Sequence, residues 1–305
     1  VGGQAIIEGV MMRVPGAYAS SVRDLSGKII SKRVEFVSIV DKYKFLKIPV
    51  LRGIIGLFEA LKIGLETLQW SASLAEPNYK ENKHNYLDSI LTIISFGVAI
   101  SIFVIVPLTL TSWISHKDLD PIIFNLLSGL FRISFFLIYL FLISMMKDVK
   151  TLFQYHGAEH KAVFTFEAGK SLTINNTYDF PTQHPRCGTS FLFIIMIVAI
   201  ISFAALDSII ILMWGEINLS TRLISHIPFM PIVMGFGYEV LKLTAKYNNF
   251  LVFKLLSKPG LLLQNITTKI PSDKQVEVAL EALKCAFNYD VSKYEGKKHV
   301  AEAIG

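Results

Sequence analysis

The motif His156-Gly157-Ala158-Glu159-His160 carries the clearest chemical signal in this 305-residue sequence. On a helix, side chains four residues apart lie on one face, so both imidazoles can bind one metal ion. Glu159 lies close to that face, where it can act as a general base or hold a water molecule. The order His-x-x-Glu-His is the inverted zinc-protease signature. In the alternative interpretation, both histidines are core residues bonded to carbonyl groups and Glu159 is solvated.

A second cluster, His184-Pro-Arg-Cys187, stands immediately before a long apolar stretch. His184 and Cys187 have His-x-x-Cys spacing, and both are good zinc ligands. Cys187 is predicted at a helix N-terminus beside an arginine, an arrangement that favours the thiolate. The alternative is a capping turn that uses Thr189 or Ser190, with Cys187 packed inertly. Two histidines and one thiolate on one zinc ion would leave a fourth position for water.

Three other carboxylates are candidate functional residues. Glu239 lies near the end of the fourth apolar stretch, and a carboxylate in a membrane span is a functional candidate by default. Pairing with Lys242 at the interface explains Glu239 equally well. Glu8 and Glu167 are further candidates, for which a solvated or turn position is the alternative.

Two charged residues are predicted inside the bilayer at similar depths. Arg132 is ten residues from the outer end of the second span, and Asp207 is seven from the outer end of the third. At 1.5 Å per residue, their depths differ by about 5 Å, so an Arg132–Asp207 pair is expected to join these helices. A proton or ion path is the alternative. His226 is expected to reach the interface at the outer end of the fourth span.

The elements that position these residues are dominated by apolar sequence. The chain is 52% hydrophobic and 18% charged, against about 25% charged residues in a typical soluble domain. The mean hydropathy is +0.49. This composition excludes a disordered chain, and two cysteines exclude a disulfide scaffold. We therefore expect an α-helical integral membrane protein.

Four apolar stretches are long enough to span a bilayer, and two short links join them into two hairpins. Lys and Arg concentrate before the first stretch, in the middle loop and in the tail, whereas each short link carries one. The positive-inside rule then predicts a multi-pass protein of the cell inner (cytoplasmic) membrane with both termini in the cytoplasm. The predicted spans are Ser89–Ile114, Ile122–Met146, Ser190–Trp214 and Leu223–Leu241.

Outside the spans, the pattern predicts a small N-terminal β unit and interfacial amphipathic helices. Residues 46–74 form a helix whose charged stripe, which includes Arg52 and Glu59, faces water or packs under the bundle. The apolar segment 248–263 is interrupted at Pro259 and is also expected to be interfacial. The predicted units are a cytoplasmic β unit (1–45), an interfacial helix and linker (46–88), transmembrane hairpin 1 (89–146), a cytoplasmic loop with both motifs (147–189), transmembrane hairpin 2 (190–241), and an interfacial segment with a cytoplasmic C-terminal helix (242–305).

That final helix is predicted to begin at Ser272. Its Ser-x-x-Gln pattern with Gln275 is a capping box, and Val276, Leu280 and Leu283 give the helix one apolar face.

The motifs resemble those of a bacterial membrane family of uncharacterised proteins, the YqhQ-like family, whose members are labelled predicted metal-dependent enzymes. The resemblance covers almost the whole chain, with Ile270 departing from an expected acidic residue. Membership implies an integral membrane protein with a metal site at His156, Glu159, His160, His184 and Cys187, and it implies no known reaction. The matching segments are 2–13, 155–161, 184–191, 258–264 and 267–271.

The sequence therefore favours a zinc hydrolase or peptidase acting at the cytoplasmic leaflet, although another divalent metal would also fit. Glu159 is the expected catalytic base, and His156, His160, Cys187 and His184 are the expected metal ligands. The main alternative is a non-enzymatic scaffold or assembly factor whose basic cytoplasmic face docks a protein partner. The third candidate function is a thiol enzyme that uses Cys187. The lipid bilayer is the expected surrounding, and no specific nucleic acid binding is expected.

Overall fold

The computed structural model describes residues 1–75, 86–114, 119–247 and 250–299. The strands are β1 (Gly2–Ile6), β2 (Gly9–Val14), β3 (Ala17–Arg23) and β4 (Ile29–Glu35). The helices are α1 (Ile39–Lys42), α2 (Leu51–Ala75), α3 (Tyr86–Ile100), α4 (Val106–Ile114), α5 (Pro121–Ser144), α6 (Lys147–Glu167), α7 (Ile174–Thr177), α8 (Gly188–Trp214), α9 (Leu219–Lys246), α10 (Leu251–Thr267) and α11 (Asp273–Ala286). A π-helical turn (Ser101–Ile105) joins α3 to α4, and 3₁₀ turns cover Lys44–Lys47 and Ser292–Tyr294.

The four strands form the predicted N-terminal β unit, an antiparallel sheet in the order β1-β2-β3-β4. The turn before β4 is stabilised by the carboxylate of Asp24, which accepts hydrogen bonds from the backbone N–H groups of Ser26 and Lys28. Gly27 takes a φ of +85° in this turn, a conformation that favours glycine. These contacts form the tight turn that joins β3 to β4.

Helices cover both faces of this sheet. Val10 and Met12 of β2 share one core with α6 and α11, whereas the intervening Met11 packs on the opposite face near Ile63 of α2. Successive side chains of a strand point to opposite faces, so both layers draw on the same strands. The sheet thus lies between α2 on one side and α6 with α11 on the other.

The helix α11 begins as the sequence predicts. Ser272 is its N-cap and forms the capping box with Gln275. Val276, Leu280 and Leu283 are buried in the core shared with the sheet. The amphipathic pattern alone therefore identifies both the start of this helix and its buried face.

Within the described residues, four helical segments are long and apolar enough to cross a membrane, as predicted. They are Ile93–Ile114, Pro121–Ser144, Phe191–Trp214 and Leu219–Thr244. The first runs through the π-helical turn, and its link at 115–118 lies outside the described residues. The helix α8 packs against both α5 and α9, so it is the central helix of the bundle. The sheet lies at the end of the helix bundle where α5 ends and α6 begins. This end of the bundle is named the sheet end.

The predicted Arg132–Asp207 pair is not formed. Asp207 is fully buried and instead accepts hydrogen bonds from Asn125 (2.7 Å) and from Nε of Arg222 (3.0 Å). His226 Nε2 lies 2.8 Å from the same carboxylate, so His226 is buried and does not reach the interface. The reason is a helix boundary: α9 begins one turn before the predicted Leu223, which brings Arg222 onto the helix and opposite Asp207.

Packing decides two further expectations. Glu59 belongs to the stripe of α2 expected to face water or to pack under the bundle; it is buried and accepts hydrogen bonds from the Ser38 hydroxyl and the Ile39 backbone N–H, so at this residue the packed alternative holds. It therefore orders the first turn of α1. The segment expected to break at Pro259 is the continuous helix α10, because packing against α8 offsets the hydrogen bond that proline removes.

Gly157 allows α6 to pack closely against the segment that follows α10. A Cβ atom at this position would collide with the carbonyl oxygen of Lys269, so only glycine fits this close approach without a shift of the backbone. We expect Gly157→Ala to lower the free energy of unfolding by about 1–3 kcal/mol, since a backbone atom must move. Gly56→Ala is the matched control, because a Cβ there meets open space and should stabilise α2 by up to about 1 kcal/mol. Thermal unfolding in detergent measures both, and equal effects would contradict the contact.

Asp207 neutralises charge inside the bundle. Replacing it by Leu leaves Arg222 without its carboxylate in an apolar surrounding, so we expect a loss of about 3–5 kcal/mol of stability. Ser208→Ala is the control: this side chain is exposed and bonds only the Ala204 carbonyl of its own helix. The free energy of unfolding of this control should lie within about 0.5 kcal/mol of the wild-type value. An unfolding temperature for Asp207→Leu equal to that of the control would exclude this role.

Candidate metal centre

Two separate segments bring the candidate ligands together. The helix α6 carries His156 and His160 on one face, and Cys187 is the N-cap residue of α8. One ligand atom from each of these three residues lies within 4.8 Å of the other two. His156 Nε2 is 3.1 Å from Cys187 Sγ. The structure therefore joins three of the four predicted ligands into one cluster.

Backbone carbonyls orient both imidazoles. His156 Nδ1 donates to the carbonyl of Thr267 at 2.8 Å, and His160 Nδ1 donates to the carbonyl of Thr182 at 2.5 Å. A carbonyl can only accept, so each ring carries its proton on Nδ1 and has a lone pair on Nε2. In metal sites the histidine ligands usually donate their other N–H to a carbonyl or carboxylate in this way.

Cys187 is held by the start of α8. Its sulfur accepts a hydrogen bond from the backbone N–H of Thr189, and the Thr189 hydroxyl lies 3.2 Å from it. The expected capping turn is therefore present, but the sulfur is its acceptor rather than the hydroxyl of Thr189. The sulfur atom that caps the helix is thus the same atom that lies close to His156.

Glu159 points its carboxylate at the same space. It is 6% exposed, and within the described chain no hydrogen-bond donor contacts it. Its Oε2 lies 4.0 Å from His156 Nε2. Burial raises the pKa of Glu159 to about 7, while His156 acts in the opposite direction. A buried carboxylate without a protein donor is one that can take a proton from a ligand or a water molecule.

His184 lies beside the cluster but uses both of its nitrogens elsewhere. Its Nδ1 accepts from the backbone N–H of Arg186, and its Nε2 faces the carboxylate of Glu167 at 3.4 Å. Glu167 also forms an ion pair with Arg186. The backbone of His184 is held at both its N–H and its carbonyl by the side chain of Gln264. The structure thus assigns His184 and Glu167 to anchoring the loop that carries Cys187.

A small cavity of about 50 Å³ opens at the cluster. Its wall includes Gly2 and Gly3 of β1 as well as Glu159. A Cβ atom on Gly3 would lie 2.9 Å from Cγ of Glu159, so glycine at this position leaves room for the carboxylate. The N-terminal Gly-Gly segment is therefore part of the site.

The other candidate carboxylates lie away from this cavity. Glu8, in the left-handed region with φ +48°, accepts a hydrogen bond from the Tyr155 hydroxyl and so ties the β1–β2 turn to α6. Burial and the Glu8 charge raise the pKa of Tyr155. Glu239 pairs with Arg52 and accepts from the backbone N–H of Val50, rather than pairing with Lys242. Both residues join elements and do not contact the cluster.

Sequence reasoning did not find the carbonyls of Thr182 and Thr267. Carbonyl groups belong to every residue, so no side-chain type marks them. Thr267 does fall in the segment 267–271, which carries part of the family resemblance. The wall of Gly2 and Gly3 lies in another such segment, 2–13.

Comparisons with known proteins agree with this resemblance. The family described as "Protein of unknown function (DUF1385)" matches residues 48–289. The "Uncharacterized protein YqhQ" of Bacillus subtilis (strain 168) is 33% identical, over 92% of this chain and 90% of its own length. No solved structure matches. The match covers well over half of the chain, and it shows which family the chain belongs to.

Proposed function

We propose that this chain, a member of the DUF1385 family, is a membrane hydrolase that depends on a divalent metal ion, most simply zinc. His156, His160 and Cys187 would hold the ion. The observation that carries the proposal is the pair of Nδ1–H···O=C hydrogen bonds, which leave Nε2 of each neutral imidazole free to bind an ion in a cluster where His156 Nε2 lies 3.1 Å from Cys187 Sγ.

The residues present fit zinc. Two imidazoles and one thiolate are ligands that zinc prefers, and three protein ligands are what catalytic zinc sites contain. The buried Glu159 carboxylate has no donor in the described residues, and a cavity is open beside it. When bound, zinc polarises a carbonyl group and makes water acidic enough to attack it at neutral pH.

Glu159 would serve as the general base. Its carboxylate lies within 4.0 Å of a ligand nitrogen, so it can take a proton from a water molecule in the cavity and return it to a leaving group. Gly2 and Gly3 would limit the size of the group that reaches this carboxylate, because they form the adjacent wall. Esters and peptide bonds both contain a carbonyl that this arrangement suits.

We place the site at the cytoplasmic leaflet of the cell membrane. Four helices have the length and apolar composition of membrane spans. The segments at the sheet end carry most of the Lys and Arg residues, so the positive-inside rule supports a cytoplasmic sheet, α6 and α11. The substrate would then arrive from the cytoplasm or from the inner leaflet. The same basic face suits docking of a protein partner.

Metal content tests the site directly. We expect about one zinc ion per chain in protein purified without chelators, and loss of that ion in His160→Ala and Cys187→Ser. Cys285→Ser is the matched control, since Cys285 is also buried but lies in the α11 core. His184→Gln should retain the metal, because both nitrogens of His184 have other partners. Elemental analysis beside thermal unfolding makes the measurement.

A folded wild type without metal would overturn this proposal. Rapid alkylation of Cys187 in such a protein would favour a thiol enzyme. A stoichiometric protein partner retained by His160→Ala would favour the scaffold.

Glu159→Gln separates catalysis from metal binding. The amide cannot accept a proton as a carboxylate does, so we expect full metal content and at least about a hundredfold loss of hydrolysis. The measurement is a screen of fluorogenic esters and peptides with wild-type protein in nanodiscs, followed by comparison of both proteins on any substrate found. Glu66→Gln is the control, because Glu66 is an exposed carboxylate of α2 that does not line the cavity. Hydrolysis by Glu159→Gln at the wild-type rate would remove Glu159 from the mechanism.

A further inference from the structure

A second cavity, of about 190 Å³, lies inside the bundle, and none of the candidate metal ligands lines it. Side chains of α5, α8, α9 and the π-helical turn form its wall, and among them only Arg132 is charged. The rest of the wall is apolar, as Met196, Ala199 and Met234 illustrate. An apolar cavity of this kind suits a hydrocarbon chain.

Arg132 lines this cavity, and two of its three side-chain nitrogens lack a hydrogen-bond partner among the described residues. Its Nε and Nη2 are buried and have no hydrogen-bond acceptor in the described part of the chain. The guanidinium lies 5.2 Å from the ring centroid of Phe203. This cation–π contact is attractive, but it does not neutralise the positive charge of Arg132. Arg132 is near the middle of α5, about 17 Å from either end of the helix.

The charges of the bundle interior do not balance. Asp207 accepts hydrogen bonds from Asn125 and Arg222 and lies 2.8 Å from His226, and none of its printed contacts is with Arg132. Among the described residues, Arg132 and Arg222 are thus two cations beside one carboxylate, and of the two only Arg222 contacts it, while Glu239 is paired with Arg52 at the sheet end. An unbalanced charge near the centre of a bilayer costs several kcal/mol, and a bound anion would remove that cost.

We propose that this cavity binds a single-chain amphiphile with a free carboxylate, of the long-chain fatty acid class. The carboxylate would pair with Arg132, and the hydrocarbon chain would fill the apolar wall around Ala199. A phospholipid fits less well, because its phosphate stays at the headgroup level, about 15 Å from the centre of the hydrocarbon core. The inference rests on the membrane placement proposed above and is independent of the metal.

Photo-crosslinking in neutral phosphatidylcholine nanodiscs tests the proposal. The probes are diazirine-labelled palmitate and diazirine-labelled hexadecanol, which share a chain and differ in the charged head. We expect about tenfold more labelling of α5 and α8 peptides by the acid than by the alcohol, as a charged hydrogen bond implies. In Arg132→Met, labelling by the acid should fall to the level of labelling by the alcohol.

Two further variants keep the test independent of Arg132 itself. Ala199→Phe fills the cavity while Arg132 stays, so both probes should lose their labelling. Ile201→Phe is the control, because Ile201 is 65% exposed on another face of α8. Equal labelling by acid and alcohol in the wild type would overturn the proposal. Competition by phosphatidylglycerol but not by palmitate would overturn the fatty acid class.

Stability gives a second readout. Arg132→Met removes an unpaired charge, so without ligand its unfolding temperature should equal or exceed that of wild type. A lower unfolding temperature would mean that Arg132 has a structural partner and would overturn the anion site. Metal content of the same samples reports on the proposed hydrolase site separately, so either idea can fail alone.

Discussion

The hydrogen bonds from His156 and His160 to two backbone carbonyls hold the candidate site together. They connect α6 with the loop before α8 and with the end of α10, segments that are distant in sequence. They also fix a proton on Nδ1 of each ring, which for His156 is the nitrogen away from Cys187. Without these two acceptors, the imidazoles would rotate and the cluster would lose its geometry. Gly157, between the two histidines, lets the backbone at Lys269 come close enough.

Local sequence patterns predicted much of this structure. The spacing of His156 and His160 identified a helical face, the apolar length identified four helices, and Ser272 with Gln275 identified a capping box. Each of these signals acts over a few residues or through composition, so one sequence contains it fully.

The errors come from tertiary contacts. Arg132 and Asp207 lie at similar depths, but depth does not say which faces of α5 and α8 meet. One helical turn at the start of α9 changed the partner of Asp207 to Arg222. His184 has the spacing of a ligand and stays a predicted one, but spacing alone does not reveal that Glu167 and Arg186 contact its ring. Carbonyl acceptors and the wall at Gly3 lie beyond any pattern of residue types.

The two-sided packing of the sheet has a consequence for biosynthesis. Strands β2 and β3 are made before the four apolar helices, but α11, which covers one of their faces, is made only after all four. At about 5–20 residues per second, the strands wait on the order of tens of seconds for that helix. During this interval the sheet lacks the cover of one apolar face. Chaperone contact at this stage would protect it from pairing with other nascent chains.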